Sequence, residues 1–261
     1  MLRIFFLVFS QLTVGGLAML HVVPAQEIGK GFFRTCASIY LLLWLLILAG
    51  LDRTRPAELF GCVLFTLVFL LYWASLWSER LSKSAPWLPL TWGVGGGAVV
   101  ASALSAAPAA SWTGEGAFYT LNFLLSTASL GAAMSGMLLG HWYLVTPELS
   151  LVPIKRMTGI LLGSLLAQAG LLLVTVFPEA GLVPAGLTPK IQHLMLAYPY
   201  FLWGRALVGL ASTFALAALT LWLLREGSTQ AATGFLYTAV LTVTVGELIA
   251  RFLFRLTGVP V

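Results

Sequence analysis

Residues 242–254 read Thr-Val-Thr-Val-Gly-Glu-Leu-Ile-Ala-Arg-Phe-Leu-Phe, an apolar run near the C-terminal end that carries two charges, Glu247 and Arg251. A charged side chain at the centre of a membrane-spanning helix costs roughly 2.5–3.5 kcal/mol on insertion scales, so charges there are retained for a purpose. A spacing of four puts both on one helical face, where they can pair. Two roles fit: a polar site inside a helix bundle, or a structural ion pair that docks the last helix on its neighbours.

The rest of the chain explains why this stretch is read as lying in lipid. Of 261 residues, 59% are hydrophobic and 9% charged, against roughly 25% charged in a soluble domain. Apolar runs of about 20 residues recur along the sequence, the length needed to cross a hydrocarbon core of ~30 Å. The spans read as 2–23, 36–51, 57–77, 87–107, 117–144, 157–177, 192–224 and 230–255. This is an all-α integral membrane protein, a single polytopic domain of eight transmembrane helices. Residues 2–23 sit where a signal peptide would, but exceed a typical apolar core and are not followed by a soluble domain, so they read as a retained first span. The connections carry breakers, among them Pro24, Pro56, Pro108, Pro147 and Pro178, and short loops make successive helices antiparallel.

Net charge is +5, yet Lys and Arg are thinly spread with no basic run, which excludes a nucleic-acid partner and leaves topology as their use. The loops after spans one, three, five and seven hold seven basic residues: Lys30, Arg34, Arg80, Lys83, Lys155, Arg156 and Arg225. The other side holds five: Arg3, Arg53, Arg55, Lys190 and Arg255. By the positive-inside rule both termini lie on the non-cytoplasmic side. Trp77, Trp87, Trp112 and Tyr143 fall near span ends, as aromatic belts do. Cys36 and Cys62 have no metal-ligand spacing and read as buried free thiols. Glycines at 93, 95, 96 and 97, and from Gly131 through Gly136 to Gly140, read as close helix packing rather than a phosphate loop. No inverted repeat of the transporter kind is evident.

Depth matching groups the remaining polar residues. Gln11, Arg205, Glu247 and Arg251 fall at comparable depth in the non-cytoplasmic half of spans one, seven and eight. If those spans meet, two arginines and one carboxylate make a net positive site that suits a quinone carbonyl, with Tyr198, Tyr200 and Trp203 as flat walls. Such a mixture fits a small apolar cofactor better than a permeating ion. Asn122 and Gln168 read as interhelical hydrogen-bonding groups. His21 and His141 end spans one and five on the same side. They are candidates for proton transfer or, alternatively, for the axial ligands of a b-type haem. His193 opens span seven on the other side. The stretch from Gly140 to Pro147, Gly-His-Trp-Tyr-Leu-Val-Thr-Pro, is a second candidate site or simply an aromatic belt before a basic loop. No hydrolase or transferase signature is present, and no catalytic residue or metal site is assigned.

Two of these stretches carry a resemblance. Val-Phe-Ser-Gln-Leu-Thr-Val-Gly-Gly-Leu-Ala-Met-Leu at 8–20 and Gly-Glu-Leu-Ile-Ala-Arg-Phe-Leu-Phe at 246–254 resemble the ends of the membrane-anchor subunit of dimethyl-sulfoxide-reductase-type molybdoenzymes, within the polysulfide- and nitrite-reductase anchor superfamily. Gly140–Pro147 and the compact loops depart from that pattern. The resemblance implies a quinone-reactive subunit of a respiratory electron-transfer complex, without a catalytic centre of its own, in a bacterial or archaeal inner membrane. It would pass electrons between the quinone pool and an extrinsic iron–sulfur and catalytic partner. Gln11, Glu247 and Arg251 fall on the matching motifs. A small-solute or proton-coupled transporter using Glu247 is the alternative from another class.

Overall fold

The computed structural model describes residues 1–51, 56–77, 86–106, 114–146, 148–178 and 181–261. The expectations for Arg53, Arg55, Arg80, Lys83, Trp112, Pro108 and Pro147 lie outside them. The described residues are helical, without a strand. In chain order the helices are α1 (Leu2–Leu20), α2 (Ala25–Ile28), α3 (Lys30–Ile47), α4 (Pro56–Ser75), α5 (Trp87–Ala106), α6 (Gly114–Val145) and α7 (Val152–Val176). Then come α8 (Thr188–Ala197), α9 (Pro199–Gly204), a π-helical segment (Arg205–Ser212), α10 (Thr213–Arg225) and α11 (Thr229–Thr257). Helices dominate because lipid offers no partner for backbone N–H and C=O groups, which an α-helix satisfies within itself.

Seven helices among the described residues are long and apolar enough to cross a membrane: Leu2–Leu20, Lys30–Gly50, Pro56–Ser75, Trp87–Ala106, Gly114–Val145, Val152–Val176 and Pro199–Arg225. The expected eighth span, 230–255, is the 29-residue helix α11, which is not among those seven and carries Glu247, Arg251 and Arg255. The expected continuous span 192–224 is broken. Proline has no N–H to donate and disfavours a helical residue before it, and Tyr198, just before Pro199, leaves the helix at φ −131° and ψ 39°. Arg205–Ser212 then follows α9 as π-helix rather than α-helix. The expected second span, 36–51, begins earlier, at Lys30, directly after Gly29 with its φ of 81°.

At the centre lies α6, which packs on α1, α5, α7 and α11. It runs parallel to α1, since Gly15 meets Thr127 and Gly131 while Gly16 accepts from Ser135, whose Oγ–H donates across 3.1 Å. A methyl group at Gly15 would overlap the Thr127 carbonyl, and one at Gly131 would overlap the Gly15 backbone, so these two glycines set the helix separation. Gly140 abuts Thr233 of α11, and Gly95 abuts Val14 and Phe65. Gly93, Gly96 and Gly97 have open space beside them, so the close-packing reading holds at Gly95, Gly131 and Gly140 and not across both clusters. Cys36 and Cys62 are buried free thiols. Large apolar side chains on the outer helices, such as Leu46, Phe60, Leu67, Leu173 and Leu241, point outward as a lipid-facing surface requires.

Candidate functional site

α11 carries Glu247 and Arg251 one turn apart, facing the interior, and both are fully buried. Glu247 sits between two guanidinium groups. Arg205 at the start of the π-helical segment donates from Nη2 to Glu247 Oε1 at 3.0 Å, and Arg251 Nη2 lies 3.7 Å from Oε2. Arg205, also fully buried, reaches the carboxylate because α11 and the π-helical segment touch at Gly209 and Gly246. A methyl on Gly246 would overlap Gly209 and come within 3.1 Å of Arg205 Nη1. The two glycines therefore make the channel in which the arginine lies.

Amides and hydroxyls complete the cluster. Arg205 Nη2 also donates to Gln168 Oε1 of α7 at 2.5 Å, and Gln168 Nε2 donates to Ser129 Oγ at 3.0 Å. Arg251 donates to Asn122 Oδ1 (3.2 Å), Ser126 Oγ (2.7 Å) and Gln11 Oε1 (3.3 Å), and its Cζ lies 4.0 Å from the centre of the Phe123 ring. Hydrogen bonds to charged groups contribute about 1.5–3 kcal/mol each, and a desolvated cation–π contact about 2 kcal/mol, which offset part of the burial of three charges. Arg205 Nε and Nη1 and Arg251 Nε have no hydrogen-bond partner among the described residues. The cluster carries a net charge of +1 and joins α1, α6, α7, the π-helical segment and α11.

Gln11, Arg205, Glu247 and Arg251 thus lie in one network, as the depth argument expected. Asn122 and Gln168 are interhelical hydrogen-bonding groups, each bonded to one of the arginines. The proposed aromatic walls are a correction. Tyr200 and Trp203 are 88% and 63% exposed, and Tyr198 packs edge-on to His193. Tyr200 and Trp203 stand five and two positions before Arg205 in continuous helix, which puts them on the face away from the cluster. His21 and His141 sit exposed toward the opposite end of the parallel pair α1 and α6, and Tyr237 Oη lies 3.3 Å from His141 Nδ1. In the Gly140 to Pro147 stretch, Tyr143 is buried and donates to the Ser150 carbonyl at 2.6 Å, while Trp142 packs against Phe32.

Two elements of the site went unread in the sequence. Ser126 and Ser129 form, with Asn122, a polar stripe on α6 at spacings of four and three, a one-face pattern that was available as a signal. The other is Glu58 in the first turn of α4, which is 1% exposed. It pairs with Arg3 of α1 at 3.2 Å and accepts a hydrogen bond from Ser102 of α5 at 3.1 Å.

A cleft of about 410 Å³ opens where the start of α1 meets the end of α11. Arg3, Ser102, Phe123, Arg251, Phe254 and Arg255 are among its walls. Arg251 therefore belongs both to the buried cluster and to the cleft. An apolar groove between Phe5, Phe201 and Phe252 shares Ile4 with it. Among the described residues, no three His, Cys, Asp or Glu side chains group as metal ligands. Fold and site together define a multi-pass helix bundle with a buried Arg–Glu–Arg cluster beside an arginine-lined cleft. Comparison with family models, curated proteins and solved structures found no match.

Proposed function

We propose that this protein is the quinone-interacting membrane-anchor subunit of a respiratory electron-transfer complex in a bacterial or archaeal inner membrane. α11 serves as an eighth span, and both termini lie on the non-cytoplasmic side. One observation carries the reading: Gln11, Arg205, Glu247 and Arg251, assigned to a quinone from sequence, meet in a single network whose edge, Arg251, borders a cleft of about 410 Å³. That volume lies within the range of small-molecule sites, roughly 300–1,000 Å³. Guanidinium N–H groups suit a quinone carbonyl that gains negative charge on reduction, and Phe123 and Phe254 suit its ring. Two electrons and two protons convert quinone to quinol; the electrons are exchanged with an extrinsic iron–sulfur partner, which supplies the redox centre this chain does not claim.

The test is quinol-dependent turnover of the assembled complex carrying Arg251→Lys. Lysine keeps the charge and loses the planar fork, and losing a hydrogen bond to a charged group predicts a fall of about 10-fold or more. Unchanged turnover in a fully assembled complex overturns the assignment.

A second reading is favoured by how fully Arg251 is engaged. Three hydrogen bonds, an ion pair and an aromatic ring already hold it, as a structural clamp on α11 would require. Loss of assembly in Arg251→Lys, with no separate effect on turnover of the complex that remains, selects the clamp. For the haem alternative at His21 and His141, the visible spectrum of the purified protein decides: a Soret band that shifts on reduction is its signature. For a transporter, solute uptake by vesicles containing this chain alone is the supporting result.

A further inference from the structure

A second, much smaller cavity lies between α1, α3, α4, α5 and α6, about 20 Å³ in volume, walled by Ser10, Gln11, Cys62, Phe65, Ser102 and Phe123 among others. Its polar groups have a definite unmet demand. Gln11 is 1% exposed, and its Oε1 accepts from Arg251, which fixes the amide so that Nε2 faces elsewhere. Nε2 has no protein partner. Ser10 Oγ–H already donates to the Leu7 carbonyl at 3.0 Å, and Ser102 Oγ–H to Glu58 at 3.1 Å. Each hydroxyl therefore keeps an acceptor lone pair to spare. The residues that wall the cavity thus carry one free donor and two free acceptors. Trp44 also borders it, but its Nε1–H is spent on Thr66 at 2.8 Å.

We propose that this cavity is a binding site for one water molecule, which accepts from Gln11 Nε2 and donates to Ser10 Oγ and Ser102 Oγ. Three hydrogen bonds are typical of a buried water, and the space exceeds the roughly 10–15 Å³ that one requires. The consequence reaches beyond Gln11. Arg251, Glu247, Arg205 and Gln168 form one hydrogen-bonded and ion-paired chain, while Arg3, Glu58 and Ser102 form another. The water joins them through Gln11 and Ser102, so Glu58 and Glu247, the two buried carboxylates among the described residues, belong to one continuous polar network. It also holds the Gln11 amide in the orientation that presents Oε1 to Arg251. This inference rests on Gln11, the two serines and the cavity they border, and stands whether or not the cleft binds a quinone.

Two measurements test it. In an experimental structure of the full chain that resolves ordered waters, the expected result is a single peak about 3 Å from Gln11 Nε2, Ser10 Oγ and Ser102 Oγ. A cavity without density, or Gln11 Nε2 bonded to a protein group, overturns the proposal. Ser10→Ala gives an independent reading by the sign of its effect. Alanine is the better helix former, and in a dry cavity it removes a polar wall, so the thermal midpoint would hold or rise. With the water bound, an acceptor is lost and the midpoint falls by about 2–4 °C. An unchanged or raised midpoint counts against the site.

Discussion

At the scale of single residues, Glu247 balances the cluster. It is the carboxylate between Arg205 and Arg251, so removing it leaves two buried guanidiniums facing each other, whereas removing either arginine leaves one cation against one anion. Breaking a buried pair by deleting one partner costs about 3–5 kcal/mol. Glu247→Ala is therefore expected to destabilise the protein more than Arg251→Ala does, measured as the fraction that stays monodisperse in detergent after graded heating. The reverse order would mean that the contacts of Arg251 with Asn122, Ser126, Gln11 and Phe123 outweigh the charge balance at Glu247. Asn122→Leu tests the support of Arg251 in the same assay. It removes one of three acceptors and leaves the others, Ser126 and Gln11, so its cost should be smaller, about 1.5–3 kcal/mol.

Between helices, the cluster depends on how closely α11 approaches the π-helical segment at Gly209 and Gly246. Gly246→Ala would force a methyl into the Gly209 backbone and crowd Arg205 Nη1, so it should separate the two elements and lower stability by overpacking, about 1–3 kcal/mol. Gly96→Ala, which adds a methyl into open space, should have little effect or a small gain from helix propensity. A thermal comparison of the two variants checks the pair, and equal effects would mean that the contact at Gly246 is slack. Gly246 stood in the quoted sequence beside Glu247, yet its partner Gly209 lies 37 positions away, in a segment where helical periodicity gives no register once the chain turns π-helical. Helices of lipid-spanning length were legible because hydropathy and length decide them locally. Depth along each span was legible too, which is why Gln11, Arg205, Glu247 and Arg251 could be grouped. Which face Tyr200 and Trp203 present was legible as well: they stand five and two positions before Arg205 in continuous helix, and 3.6 residues per turn puts both on the far side from it, a register that grouping by depth does not use. Glu58 was missed because its partners, Arg3 and Ser102, come from α1 and α5, and pairings between distant helices leave no local pattern.

For the whole molecule, the parallel pairing of α1 with α6 fixes which ends share a side. The start of α1 and the end of α11 border one cleft, while the end of α6 lies at the opposite end with the end of α1. The proposed orientation puts the cleft end outside, on a basic-residue majority of seven against five, and cysteine labelling tests it directly. The chain is well suited to it. Cys36 and Cys62 are 1% and 4% exposed, so a membrane-impermeant maleimide meets little native background. Leu2, at the cleft end, is 66% exposed, and Val145, at the end of α6, is 73% exposed. In intact cells Leu2→Cys should be labelled, and Val145→Cys should be labelled only after the membrane is permeabilised. The opposite pattern would invert the protein, moving the arginine-lined cleft to the cytoplasmic face and with it the side on which an extrinsic redox partner would dock. Labelling of both in intact cells would break the parallel pairing itself, since Gly15 and Gly131 hold α1 and α6 in one register and leave no room for their ends to part.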